Sequence, residues 1–104
     1  MDKKPIVTNA ASEDQQKEAK TKLIITRQTE LNDLRFILSH PQGRRFMWRM
    51  LSHFKVFASI WDNSAKIHYN AGKQDAGHFL QSEIVEADQN SYFKMMKEAK
   101  EAQQ

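Results

Sequence analysis

Between Pro5 and Gln104 the one proline is Pro41, and the 104 residues hold three glycines, Gly43, Gly72 and Gly77. A many-stranded sheet needs a turn about every ten residues, so punctuation this sparse points to a few long helices. His40-Pro41 is the strong break. Proline cannot continue the backbone hydrogen bonds of a preceding helix and restricts the residue before it, yet it fits the first turn of a new one.

The remaining boundaries follow from caps and periodicity. Ser12, followed by Glu13, Asp14 and Gln15, has the capping-box spacing of a helix start. It predicts a first helix over 12–38, with residues 1–11 as a flexible N-terminal arm. Ile24, Leu31 and Leu38 stand seven apart, with Leu34 and Ile37 beside them, and form an apolar seam from about residue 23. The preceding turns, EDQQKEAKTK, are polar all round. The second helix is expected over 41–54, capped by Ser39 or His40, with Phe46, Met47, Met50, Leu51 and Phe54 on one face and Arg44, Arg45 and Arg49 toward the other. The apolar KVFASIWD connection reads as an extended or single-turn piece that plugs the core with Phe57, Ile60 and Trp61.

Asn63 or Ser64 caps a third helix, over 64–87. Its stripe is Ala65, Tyr69, Gly72, Ala76, Phe79, Leu80, Ile84 and Ala87, and Gly72, Ala76 and Gly77 are the positions where another helix can approach closely. A glycine inside a helix costs about 1 kcal/mol relative to alanine, and close packing is the reason to keep it. Asp88 breaks the chain and starts a fourth helix over 89–102, which uses Tyr92, Phe93 and Met96. The expectation is a single all-α, four-helix bundle-like domain over 12–104.

Composition narrows the function classes. No apolar run approaches the ~20 residues of a membrane span, and MDKKPIVTNAASEDQQ has no stretch suited to export. Cys 0 removes disulfide and thiolate chemistry and agrees with a reducing cytoplasm. A zinc hydrolase pairs histidines one helical turn apart around a glutamate. His40, His53, His68 and His78 show no such spacing, and His68 and His78 lie about 15 Å apart along one helix. Asp75, Glu83 and Glu86 fit the solvated side of a helix, and neither a nucleophile elbow nor a phosphate loop is present. The sequence therefore predicts a non-enzymatic protein with no metal and no cofactor.

Charge is the strongest functional signal. The net charge is +3, yet between Leu34 and Trp61 there are five basic residues and no acid. Within HPQGRRFMWRML, residues 40–51, Arg44, Arg45 and Arg49 occupy neighbouring turns, with Lys55 just beyond. Arginine grips phosphate through a planar two-pronged donor set, so weak, non-specific DNA contact is one reading. A helix-turn-helix would need its next helix within three or four residues, and the connection here is longer and apolar. In the other reading the arginines pair with acids of the third and fourth helices, or cover apolar surface with their stems. Trp48 falls on the flank with Arg44 and Arg45, either beneath KVFASIWD or at a partner surface, where Trp and Arg are enriched.

The succession HPQGRRFMWRML, KVFASIW, NAGKQDAGHFLQSEI and DQNSYFKMM resembles a family of small all-helical proteins first named from a Bordetella podophage and encoded in the virion-structure gene modules of tailed phages. The resemblance covers about Leu31 to Glu98. It rests on Gly43, Arg44 and Arg45 at one helix start, on Gly72, Asp75 and Gly77 in the next helix, and on Tyr92 in the last. It implies a virion structural or morphogenesis role through protein–protein contacts in the head, the head–tail region or the DNA-delivery set, in the virion or host cytoplasm. Phage virion or assembly proteins are the implied partners. It also suggests a charge pair of Arg44 and Arg45 with Asp75, drawn together by Gly72 and Gly77. The alternatives are a small basic DNA-binding protein and a phage-encoded inhibitor of a host protein. The seam from Ile24 to Leu38 packs within the chain or joins a homo-oligomer.

Overall fold

The computed structural model describes the backbone of residues 4–103 and the side chains of residues 11–103. These residues form four α-helices and no strand: α1 (Lys4–Leu38), α2 (Pro41–His53), α3 (Lys66–Ala87) and α4 (Gln89–Ala102). The fold is all-α and four-helix bundle-like, as the helical periodicities require. The first boundary differs from expectation. α1 begins at Lys4, so Ser12 stands inside the helix and the residues from 4 to 11 are helix instead of a flexible arm. Pro5 suits a first turn, whose amides have no partners to lose, and nothing that breaks a helix follows before Pro41. Residues 1–3 of the expected arm lie outside the described residues.

The chain divides into two units, Met1–Glu30 and Leu31–Gln104, where a single domain over 12–104 was expected. In the first unit every described side chain except Arg27 is exposed. Leu23, Ile24 and Ile25 are 69%, 62% and 59% exposed. Bonds along the helix itself include Thr21 Oγ1 to the Lys17 carbonyl at 2.9 Å, Thr29 Oγ1 to the Ile25 carbonyl at 3.0 Å, and the Arg27–Glu30 ion pair at 3.2 Å. Such exposed pairs contribute a few tenths of a kcal/mol.

The second unit holds the core. Leu31 and Leu38 of α1 meet Leu51 of α2, Ile84 and Ala87 of α3, and Tyr92 and Met95 of α4, with Leu34, Met47, Trp48, Val56, Leu80 and Val85 packed around them. Fully burying a side chain such as Leu38, Leu51 or Ile84 contributes about 1.5–3 kcal/mol each. The apolar seam of α1 thus becomes core from Leu31 onward, and Ile24 does not share in it.

Local chemistry sets the joints. His40 occupies the N-cap position of α2 without capping it, since its side chain makes no cap bond; ring Nδ1 lies 2.8 Å from the Phe36 carbonyl. α2 closes in a Schellman arrangement, with Lys55 N–H donating to the Ser52 carbonyl at 3.0 Å and Val56 N–H to the Leu51 carbonyl at 3.1 Å. Lys55 takes the left-handed position, φ 59°, that glycine usually fills. Val56 is thereby turned onto the core. Phe57 and Trp61, expected as core plugs, are exposed instead. α3 starts at Lys66 rather than residue 64, and Ser64 serves as acceptor for the Lys66 amide at 3.3 Å. At the α3–α4 joint, Arg35 Nε donates to the Ala87 carbonyl at 2.6 Å, a cation at a helix C-terminus. Asp88 caps α4 through the Ser91 amide at 3.2 Å and hydroxyl at 2.8 Å.

The stripe read along α3 divides in two. Ile84, Ala87 and half-buried Leu80 face the core, whereas Tyr69, Gly72, Ala76 and Phe79 are exposed. Periodicity locates an apolar face without saying what lies opposite. Of the three close-packing positions, only Gly77 is closely approached, and by the turn that follows α2 rather than by a helix: a Cβ there would lie 2.6 Å from Phe54 Cβ and 2.5 Å from Val56 Cγ2. A Cβ at Gly72 would meet open space, and Ala76 is exposed, so neither brings a helix close. The tightest glycine is Gly43, where a Cβ would overlap the Ile37 carbonyl.

Candidate functional site

The arginines do not act as a set. Arg44 precedes Leu51 by seven residues, two helical turns, and therefore shares the core-facing side of α2. It is 5% exposed. Its guanidinium spends its donors inside the fold: Nε to Glu98 Oε1 at 2.7 Å, Nη2 to Glu98 Oε2 at 3.0 Å, and Nη1 to the Leu38 carbonyl at 2.8 Å. This is a two-pronged, charge-assisted pair that ties the end of α1, the start of α2 and the second half of α4. Its hydrogen bonds hold the Glu98 carboxyl below the usual carboxylate range, against the upward pull of burial. The carboxylate in turn raises Arg44 above its ordinary value.

The expected pairing with Asp75 is therefore corrected. Arg44 goes to Glu98 of α4, Arg45 is exposed on the same side, close enough for its charge to lower Glu98 further, and Asp75 is exposed on α3. The physical reason is that Glu98 stands in register with the buried stripe of α4, whereas Asp75 lies on an exposed side of α3. Tyr92, Met95 and Glu98 follow one another at three-residue spacing, and Tyr92 and Met95 are buried. Arg49 is exposed, with its guanidinium 5.3 Å from the centre of the Phe46 ring. Lys55 belongs to the α2 terminus, where its carbonyl accepts from Gln74 Nε2 at 2.8 Å.

Trp48 is half-buried and stacks on Phe57 of the connection, with centroids 5.0 Å apart and planes at 22°. The connection thus covers one portion of the indole, as one reading expected, and the rest forms a groove wall. The groove, about 680 Å³, runs between α2 and the C-terminal half of α4, where Arg44, Arg45, Trp48, Met95, Glu98 and Ala99 contribute to its lining. A smaller hollow of about 390 Å³ adjoins it at Trp48, bordered by Met96, Lys97, Ala99 and Lys100. Ala99 and Ala102, one turn apart, are the short side chains that leave this space opposite the indole.

The groove has no nucleophile–base pair, and Glu98, its most buried acid, is already bonded to Arg44. Among the described residues no three His, Asp or Glu side chains group as metal ligands, and no helix is long and apolar enough to cross a membrane. What the arrangement can do is hold an apolar side chain beside charged groups, with Lys97 and Lys100 at the adjoining hollow. Comparison with protein-family models, with curated proteins and with solved structures finds no match to this chain.

Proposed function

We propose that this chain is a non-enzymatic structural or morphogenesis protein of a tailed-phage particle, acting through protein–protein contacts. The observation that carries the contact role is the exposed Leu23, Ile24 and Ile25 triplet on α1, outside the packed unit. Exposed aliphatic side chains that spread around this much of one helical turn are the kind of surface that a partner covers. The phage setting comes from the resemblance of the stretch between Leu31 and Glu98, in particular Gly43-Arg44-Arg45, Gly72, Asp75, Gly77 and Tyr92. Against the DNA-binding alternative stands Arg44, whose donors are engaged by Glu98 and Leu38 and cannot reach phosphate.

Mass spectrometry of purified particles tests the reading. The chain is expected at a fixed copy number in wild-type particles. It is expected to be lost when Leu23, Ile24 and Ile25 are all replaced by glutamate, a good helix former that keeps α1 intact. Absence from wild-type particles overturns the phage role. Retention of the triple variant at wild-type level overturns the contact role of the triplet.

A further inference from the structure

We infer that the groove beside Trp48 is a docking site for an acidic amphipathic helix of a partner protein. The inference deepens the contact reading proposed above and rests on it. Its floor is apolar: Trp48, Met95, Ala99 and, across the indole, Met96. Its rim is cationic on one side. Arg44 and Glu98 cancel one another at 2.7 Å; of the remaining charges, Arg45 and Glu101 line the groove itself, and Lys97 and Lys100 border the smaller hollow that continues it past the indole.

Three features select this occupant. From Met95 to Ala102, α4 rises about 10 Å, roughly two helical turns, so the groove accommodates a helix presenting apolar anchors at i, i+3 or i+4, and i+7. Over the groove and the adjoining hollow together, three cations against one acid leave a net excess of two positive charges, which favours carboxylates on the partner's flanks and disfavours a basic or neutral one. Trp48 is held in place by its stack on Phe57, so little side-chain freedom is lost when an anchor meets it. A nucleic acid fits the rim but not the floor, since phosphate finds no use for Met95, Met96 and Ala99.

The test uses the full chain with Trp61→Phe, which leaves Trp48 as the single tryptophan. A library of helical peptides, randomised on one face, is selected against it. The expected winners carry apolar anchors at i, i+3/i+4 and i+7 with glutamate or aspartate beside them, and they shift Trp48 emission to the blue. The charge reversals Arg45→Glu and Lys100→Glu together weaken these winners by about tenfold or more, while circular dichroism and melting stay unchanged. No enrichment, winners without acids, or affinity indifferent to the reversals overturns the proposal. So does random duplex DNA that shifts Trp48 and loses this effect in the reversal variant, or a blue-shifted Trp48 in the unliganded chain that accompanies self-association. If the groove fails while the chain is found in particles, the docking site alone is wrong. If acidic peptides bind while the chain is absent from particles, the phage role alone is wrong.

Discussion

Replacing Glu98 with alanine is the sharpest test of how this fold is held. It removes both acceptors from Arg44 Nε and Nη2 and leaves Nη1 on the Leu38 carbonyl. A guanidinium 5% exposed then lacks its counter-charge. Breaking a buried ion pair from one side costs ~3–5 kcal/mol. The Glu98 side chain is 36% exposed, however, so water reaches the vacated side and reduces the loss. About 2–3 kcal/mol remains, near the value of losing two charge-assisted hydrogen bonds after partial rehydration. For a unit of this size 1 kcal/mol moves Tm by ~4–8 °C, so Glu98→Ala should lower Tm by roughly 10–20 °C. Arg45→Ala, an exposed position, should stay within about 0.5 kcal/mol. Urea unfolding followed by circular dichroism measures both, and a cycle with Arg44→Met isolates the pair. A Glu98→Ala loss below about 0.5 kcal/mol, or equal losses at Arg44 and Arg45, would refute the reasoning.

Further outcomes follow from the same geometry. Glu98 and Asp88 are held below the usual carboxylate range by Arg44 and Ser91 respectively; a depressed carboxyl stabilises the fold above its unfolded pKa and loses that contribution as pH falls through the folded one. Tm should therefore be flat near neutrality and fall below about pH 4, and Glu98→Gln should flatten the fall. Gly72→Ala faces open space and should stabilise by up to ~1 kcal/mol, whereas Gly43→Ala meets the Ile37 carbonyl and should destabilise by ~1–3 kcal/mol; equal effects in denaturant melts would contradict the assignment. Lys55→Gly relieves a left-handed backbone and should add about 1 kcal/mol. A fragment beginning at Leu31 should unfold cooperatively with nearly the full-length midpoint, and a broad, early transition would show that the two units depend on one another.

The helices were legible because their signals are local. Pro41 and Asp88 are single residues whose chemistry ends or starts a helix, and the boundaries of α2 and α4 fall where they stand or within a residue. The seam of α1 and the stripe of α3 were legible as faces but not as environments. Leu31 and Leu38 are core and Ile24 is not; Ile84 is core and Phe79 is not. The missing information is what each face meets, which depends on contacts distant in sequence. The Arg44–Glu98 pair spans 54 positions. Its signal was nonetheless present: an arginine at seven-residue spacing from Leu51 and a glutamate in step with Tyr92 and Met95. A charge in register with an apolar stripe announces a buried partner elsewhere. The three arginines were grouped because they adjoin in sequence, although a helix separates neighbours by a hundred degrees.

Arg44 and Glu98 belong at once to the fold's charge anchor and to the lining of the groove beside Trp48. That shared membership limits how the surface can diversify. Altered preference is accessible at Arg45, Lys97 and Lys100, which can change sign without disturbing the interior. Drift at Arg44 or Glu98 costs stability whatever it does to recognition, so lineages of this chain should vary along the rim while the pair between α2 and α4 persists or is exchanged only in concert.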